Sequence, residues 1–343
     1  MNLSNKAFII AEIAQAHDGS LGSAYKFVDA AVDAGANAVK FQVHFADHES
    51  DKQNDFFRDK KTNIQDRSRY EYWKRIEFTK KQWIELSNYC QKKNIIFLAS
   101  SFSDKSFTLL KKIDQYCWKI ASGEVNNHFF IKKVAKLNKE ILLSSGLSDW
   151  NEIDDALRLI KKYHNKITLM HCVSRYPCPP NQIGLNIITE MKEKYPDINI
   201  GYSDHSGSLG VIIAAYSLGA RVIECHIKLS DYSFGPDSSA SILIDDFKKL
   251  VNEIRILEVV NNNQKNKNSL DKNQINLRKM FNKSFYAAID LKKGMVLTSK
   301  NTILKKPVLG IHVSEHNKII GQKLIKNVKK DKPIYEKDIS KKT

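Results

Sequence analysis

The sequence predicts an α/β fold: a (β/α)8 TIM barrel of parallel strands followed by a small β-rich domain. Three observations carry that expectation. Eight strand-like apolar runs alternate with amphipathic, helix-like segments. The ends of those runs are polar, as on the catalytic face of a barrel. After residue 260 the composition turns to asparagine and lysine. The chain has 343 residues, enough for a barrel of roughly 250 residues and a small module.

The runs are FIIAEIA (8–14), AVKFQVH (38–44), IIFLASS (95–101), CWKIASG (117–123), EILLSSG (140–146), KITLMHC (166–172), NIGYSDH (199–205) and RVIECHI (221–227). Helical patterns lie between them, for example SAYKFVDAAVDAG (23–35), which stops at a glycine, and DDALRLIKKYHN (154–165). Residues 45–80 are polar, charge-rich and too long for an ordinary connection. They follow the second strand on the face where barrels carry their sites, so they read as a lid or substrate-side insertion. A last helix is expected near 244–259. The barrel is therefore assigned to residues 1–260, a linker to 261–276 and the β-rich module to 277–343.

The balance of charge is +17. From Leu277 onward there are 17 basic and 5 acidic residues, so +12 of it belongs to the module. No aromatic RNA-binding pattern or recognition helix accompanies it, and an anionic small substrate accounts for positive charge equally well. No nucleic-acid partner is expected. No apolar stretch approaches the roughly 18 residues of a membrane span, and the N-terminus lacks a signal-peptide pattern. A cytoplasmic protein with no membrane partner is the expectation. The five cysteines contain no CxxC pair and read as free, mostly buried thiols.

The strand ends supply the candidate chemistry. Strand one offers Glu12, and strand two Lys40, Gln42 and His44. Strand three ends in Ser100 and Ser101, strand four in Lys119, Ser122 and Glu124, and strand five in Ser144, Ser145 and Gly146. His171 and Ser174 follow strand six; Ser203, Asp204, His205, Glu224 and His226 close strands seven and eight. Two lysines inside one barrel cost several kcal/mol each unless an anion compensates them. With Ser122 and Ser144 they form a cradle for phosphate or carboxylate. His205 and His226, from adjacent strand ends, form a two-imidazole site with open positions for a divalent ion. Mn2+ suits that set first, with Mg2+, Co2+, Zn2+ or Fe2+ as alternatives. His171 reads equally well as a hydrogen-bonded core residue. His17, His44 and His48 lie near the same rim.

These segments match one family. AEIAQAHDGSLG (11–22), AVKFQ (38–42), WKIASGE (118–124), LSSG (143–146), HCVSRYPCPP (171–180), GYSDHS (201–206), IECH (223–226) and GPD (235–237) resemble the sialic acid (N-acetylneuraminate) synthases and related nonulosonic acid synthases. The last segment resembles their antifreeze-like SAF domain, a β-clip module. The resemblance implies condensation of phosphoenolpyruvate with an N-acetylated amino sugar such as N-acetylmannosamine. The products are a nine-carbon α-keto acid sugar and phosphate. It assigns phosphoenolpyruvate to Lys40, Lys119, Ser122, Ser144 and Ser203, and the sugar to Glu12, Ser174, Tyr176, Asp237 and Lys306; Gln42 is expected among the substrate-binding residues without assignment to either substrate. It assigns the metal to His205 and His226, and proton transfer to Glu124. It also implies a domain-swapped homodimer. Lys306 replaces the family's usual arginine and Ser174 its asparagine or threonine, so the sugar is open: a diacetylated precursor of legionaminic or pseudaminic acid is the alternative. Two other readings compete. One is a polyanion-binding protein that uses the basic tail. The other is an aldolase with Lys119 as Schiff-base lysine.

Overall fold

The computed structural model describes residues 6–53 and 66–340. The chain divides into two compact units, residues 1–263 and 264–343.

The first unit is a closed barrel of eight parallel strands. They are β1 (Phe8–Ala14), β2 (Ala38–Val43), β3 (Ile96–Ser101), β4 (Cys117–Ile120), β5 (Glu140–Ser144), β6 (Ile167–Cys172), β7 (Asn199–Asp204) and β8 (Val222–Lys228). Each pairs with the next, and β8 returns to β1 with Glu12 opposite His226. A short β9 (Ile242–Leu243) extends β8.

Side chains alternate between the two faces of each strand. Outward-facing Ile9, Val39, Phe41, Trp118, Ile141, Leu169 and Ile223 join the helices in one large core. Inward-facing Ile10, Ala38, Leu98, Cys117, Leu142, Met170 and Val222 fill the barrel floor. Two residues further along the same strands, the interior changes character. Glu12, Lys40, Ser100, Lys119, Ser144, Ser203 and Glu224 are all buried there. The alternation thus builds an apolar floor and a polar upper layer from the same strands.

The outer helices are α1 (Leu21–Asp33), α2 (Arg69–Ile76), α3 (Lys80–Lys92), α4 (Asp104–Ile113), α5 (His128–Ala135), α6 (Trp150–Lys161), α7 (Asn186–Lys194), α8 (Leu209–Leu218) and α9 (Ile244–Asn262). Their starts are written locally. Ser20 caps α1, and capping boxes open α3 (Thr79 with Gln82), α4 (Ser103 with Ser106) and α6 (Asp149 with Glu152). α9 is pinned to the barrel's opening strand. Glu258 accepts the Ala7 N–H at 2.6 Å, while Arg255 reaches the Ala7 carbonyl and the Asn37 side chain.

The expected insertion at 45–80 contains residues 54–65, which lie outside the described residues. Its described parts are a 3-10 turn at Ala46–His48 and helix α2. The expected linker at 261–276 is a different matter. α9 runs into it as far as Asn262, and a further helix, α10 (Lys272–Phe281), begins within it. Composition hid this helix. Asp271 and Gln274 form a capping box, so local hydrogen bonding starts a helix that apolar periodicity does not announce.

The second unit continues with β10 (Ser284–Ala287) paired antiparallel to β11 (Thr302–Lys305). Isolated bridges such as Leu291 to Val328 and Val296 to Lys323 hold the rest. Phe285, Leu291, Leu297, Ile311, Ile319, Leu324 and Ile334 form its own core.

Candidate active site

The polar upper layer opens into a cavity at the C-terminal mouth of the barrel. Strands one to three line it with Glu12, Lys40, Gln42 and Ser100, and strands four to six with Lys119, Ser122, Ser144 and Cys172. Ser203, His205, Glu224 and His226 complete the ring, with Tyr176 and Phe102 at the rim.

Its electrostatic centre is a tetrad. Lys40 Nζ lies 2.6 Å from Glu12 Oε2 and 3.5 Å from Glu224 Oε1. Lys119 Nζ lies 2.7 Å from the same Glu224 oxygen, which also accepts from Ser203 Oγ at 3.0 Å. Two cations therefore face two carboxylates. The barrel itself supplies two carboxylates as counter-charges to the lysines. Reading the sequence leaves Glu224 without a role in the site. Its signal is nevertheless present, because Glu224 and His226 share the inward face of RVIECHI. Burial raises the Glu12 carboxyl above its usual range against the pull of Lys40. Burial acts on Glu224 too, but Lys119 and Lys40 outweigh it and hold that carboxyl low.

The two histidines meet at the mouth, their ring centroids 5.4 Å apart. His205 Nδ1 lies 2.6 Å from the Val173 carbonyl. A carbonyl only accepts, so Nδ1 carries the proton. Burial, then the neighbouring His226, lowers the His205 pKa to about 3. The ring is therefore neutral and its Nε2 keeps a lone pair, the arrangement that metal-binding histidines adopt. His226 Nδ1 lies 3.9 Å from the Asp237 carboxylate. Glu12 Oε1 and Glu224 Oε2 are buried without a hydrogen-bond partner among the described residues. No cluster of three or more His, Cys, Asp or Glu residues suited to a metal occurs among the described residues. The donor set fits an ion held by two imidazoles with its other positions open.

A serine shelf faces the histidines. The Gly146 N–H donates to Ser122 Oγ at 3.1 Å, and Ser122 Oγ lies 3.2 Å from Cys172 Sγ. A Cβ at Gly146 would lie 2.7 Å from both Cys172 Sγ and Ser174 Oγ, so only glycine fits this turn. Tyr176 stacks on His205 with centroids 4.0 Å apart.

The first unit matches the NeuB family over residues 27–266, and the second matches the SAF domain over residues 282–340. The chain belongs to the NeuB family. It is 35% identical to the N,N'-diacetyllegionaminic acid synthase of Campylobacter jejuni serotype O:2, over 96% of this chain and 99% of that one. It is 31% identical to a pseudaminic acid synthase of Campylobacter jejuni serotype O:23/36, over 98% of both chains. Among solved structures, an N-acetylneuraminic acid (sialic acid) synthetase from Leptospira borgpetersenii in complex with citrate superposes with a TM-score of 0.68 at 31% identity, covering 80% of this chain and 90% of that one.

In this NeuB-family barrel not every expected site residue reaches the cavity. Glu124 stands just outside, on the turn Ser122–Glu124, with Oε2 accepting from Asn127 Nδ2 at 2.7 Å. Burial raises its carboxyl pKa. Asp237 lines a smaller neighbouring recess with Gln15, Lys228 and Ser241. Ser174 borders the Gly146 turn. Lys306 belongs to the second unit, where its ammonium lies 5.4 Å from the Phe281 ring centroid.

The remaining polar strand-end residues separate by face. Asp204 points away from the cavity and shapes the turn after β7, accepting from Tyr202, Ser206 and Gly207. His171 is a buried core residue 2.7 Å from the Ile183 carbonyl. His17 packs among Phe41, Phe78 and Trp83 in the outer core. His48 is exposed. All five cysteines are free and buried.

Proposed function

We propose that this NeuB-family enzyme condenses phosphoenolpyruvate with an N-acetylated hexosamine and water, giving a sialic acid-like nonulosonic acid and phosphate. The observation that carries the reading is the ring of Lys40, Lys119, Ser122, Ser144 and Ser203 in one cavity with the imidazoles of His205 and His226.

Lys40, Lys119 and the serines hold the phosphate and carboxylate of phosphoenolpyruvate. Gln42 adds a donor beside Lys40. Glu12, Ser174, Tyr176 and Asp237 hold the open-chain sugar. His205 and His226 would hold a divalent ion, Mn2+ first among the candidates, which when bound supplies Lewis acidity to the sugar carbonyl. The enol carbon of phosphoenolpyruvate then bonds to the aldehyde carbon, and water adds at the neighbouring carbon. Phosphate leaves by cleavage of its C–O bond. Glu124, with its raised pKa, moves a proton to or from the water or the aldehyde oxygen. No covalent imine is needed, so Lys119 acts as a cation. Its ion pair with Glu224 supports that role, because a Schiff-base lysine must be neutral to react.

Among the described residues no helix is long and apolar enough to cross a membrane. We also propose a homodimer. Exposed apolar side chains at the end of α9 (Ile256, Val259, Val260) and along α10 (Leu277, Met280, Phe281) support it.

A second sugar has its own support. The 35% identical relative is a diacetyllegionaminic acid synthase, which favours testing diacetylated sugars beside N-acetylmannosamine. The deciding experiment follows phosphate release from phosphoenolpyruvate by chelator-treated protein with Mn2+ restored. Release with one sugar, dependent on metal, is the expected result. Folded, metal-loaded protein that releases no phosphate with N-acetylmannosamine or either diacetylated precursor would reject the proposed substrates.

A further inference from the structure

Beside the cavity lies a cluster of side chains that, Gln42 apart, the proposed chemistry does not use. Its hub is Gln15, a buried amide in the turn after β1. The Trp73 Nε1–H, from α2, donates to Gln15 Oε1 at 3.2 Å. Gln15 Nε2 donates in turn to Gln42 Oε1 at 2.7 Å, and Gln42 lines the cavity. His44 braces the cluster. Its Nδ1 lies 2.8 Å from Glu49 Oε1, and its Nε2 lies 3.2 Å from both Gln15 Nε2 and Gln42 Oε1. The ring is sandwiched between Trp73 and Phe102, at centroid distances of 4.3 and 4.6 Å and within 12° of parallel.

An indole N–H can only donate, whereas a primary amide has an accepting end and a donating end. Each link therefore sets the next. Trp73 requires the oxygen of Gln15. The nitrogen of Gln15 is then the end that meets Gln42, and it requires the oxygen of Gln42. That oxygen is committed to the wall of the barrel, and the –NH2 of Gln42 is the end that serves the cavity. Without the Trp73 donor the amides keep only their contacts with His44 Nε2 to orient them, and they turn over more readily. Gln42 then presents an oxygen to an incoming anion, which repels it.

We propose that Trp73 and Gln15 are positioning residues. They form an amide relay from α2 that holds Gln42 as a hydrogen-bond donor to an anionic substrate group, carboxylate or phosphate. The inference rests on the reading of the cavity as a phosphoenolpyruvate site. Through the relay, the docking of α2 sets the polarity of one wall of the site.

The test uses the full chain. Trp73→Phe keeps an aromatic ring against His44 and removes the donor together with part of the indole's volume. Gln15→Leu removes the middle link. Each is expected to raise the KM for phosphoenolpyruvate about five- to tenfold, the worth of a neutral hydrogen bond. The kcat is expected within twofold of wild type, and the sugar KM unchanged. The double variant Gln15→Leu, Gln42→Ala should bind no worse than Gln42→Ala alone, since both act through one amide. Gln15→Glu, which accepts from Trp73 but cannot donate to Gln42, should not restore the KM. Titrations with inorganic phosphate and with pyruvate tell which anionic group Gln42 serves, by which of the two the variants weaken. A wild-type KM in both Trp73→Phe and Gln15→Leu, or an additive loss in the double variant, overturns the relay. A second readout needs no substrate. The chain has four tryptophans, and the Trp73 indole N–H signal is the one lost in Trp73→Phe. Gln15→Leu should shift that signal and speed its exchange with solvent. If the wild type turns over no phosphoenolpyruvate, the proposed reaction is rejected while the indole signal still decides the relay. A signal unmoved by Gln15→Leu overturns it.

Discussion

Lys119 on β4 and Glu224 on β8 meet at 2.7 Å inside the barrel, although 105 residues separate them in sequence. Their strands are not neighbours, so the contact spans the barrel interior. Glu224 also receives Ser203 and approaches Lys40, which makes it the anchor of the two interior lysines. Removing one partner of a buried pair leaves an unpaired charge in a poor solvent. Glu224→Ala should lower stability by about 3–5 kcal/mol, read by denaturant unfolding. Glu224→Gln keeps the shape and removes the charge. Its kcat should fall while its affinity for inorganic phosphate rises, because two ammonium groups then face one carboxylate. Unchanged stability in the alanine variant would remove Glu224 from this role.

His205 and His226 are expected to carry the metal. His205→Ala and His226→Ala should each lose Mn2+ binding in calorimetry and lose turnover, with an unchanged circular dichroism spectrum. Chelation of the wild type should reproduce the loss, and added Mn2+ should reverse it. Full activity of both variants after metal stripping would defeat the assignment.

Gly146 leaves no space for a side chain. A Cβ there would meet Cys172 Sγ and Ser174 Oγ at 2.7 Å and Ser122 Oγ at 2.9 Å. Gly146→Ala should cost about 1–3 kcal/mol of stability through overpacking. It should also displace the Ser122 hydroxyl and raise the KM for phosphoenolpyruvate. Steady-state kinetics and thermal melting together check both effects.

His17 ties stability to pH. Burial, followed by the charge of His44, lowers its pKa from 6.5 to about 3. The unfolded chain binds this proton as pH falls below 6.5, whereas the folded chain resists until about 3. The stability contributed by the neutral ring is thus present above 6.5 and is lost as pH falls toward 3. His17→Leu should flatten this part of the unfolding profile between pH 7 and 5. It should also lower stability at pH 7, because the Gly19 N–H loses its acceptor, His17 Nδ1. An unaltered pH slope would argue that His17 is solvated.

Much of this protein is legible from local pattern. Period-two alternation in runs such as AVKFQVH and RVIECHI determines which side chains face the barrel axis, since successive side chains on a strand point to opposite sides. That alone placed Lys40, Gln42, Glu224 and His226 in one interior, and the eight repeats determined the barrel. Tertiary structure decided what those residues meet. No spacing rule pairs Lys119 with Glu224, because the pairing depends on closure of eight strands into a ring of set size and register. The roles of His17, His44 and His171 were settled by packing. All three are histidines near the strand ends, yet one enters an aromatic core, one braces an amide relay and one bonds a carbonyl. Identical chemistry in sequence became different chemistry in space, because burial and hydrogen-bond partners are properties of the folded neighbourhood.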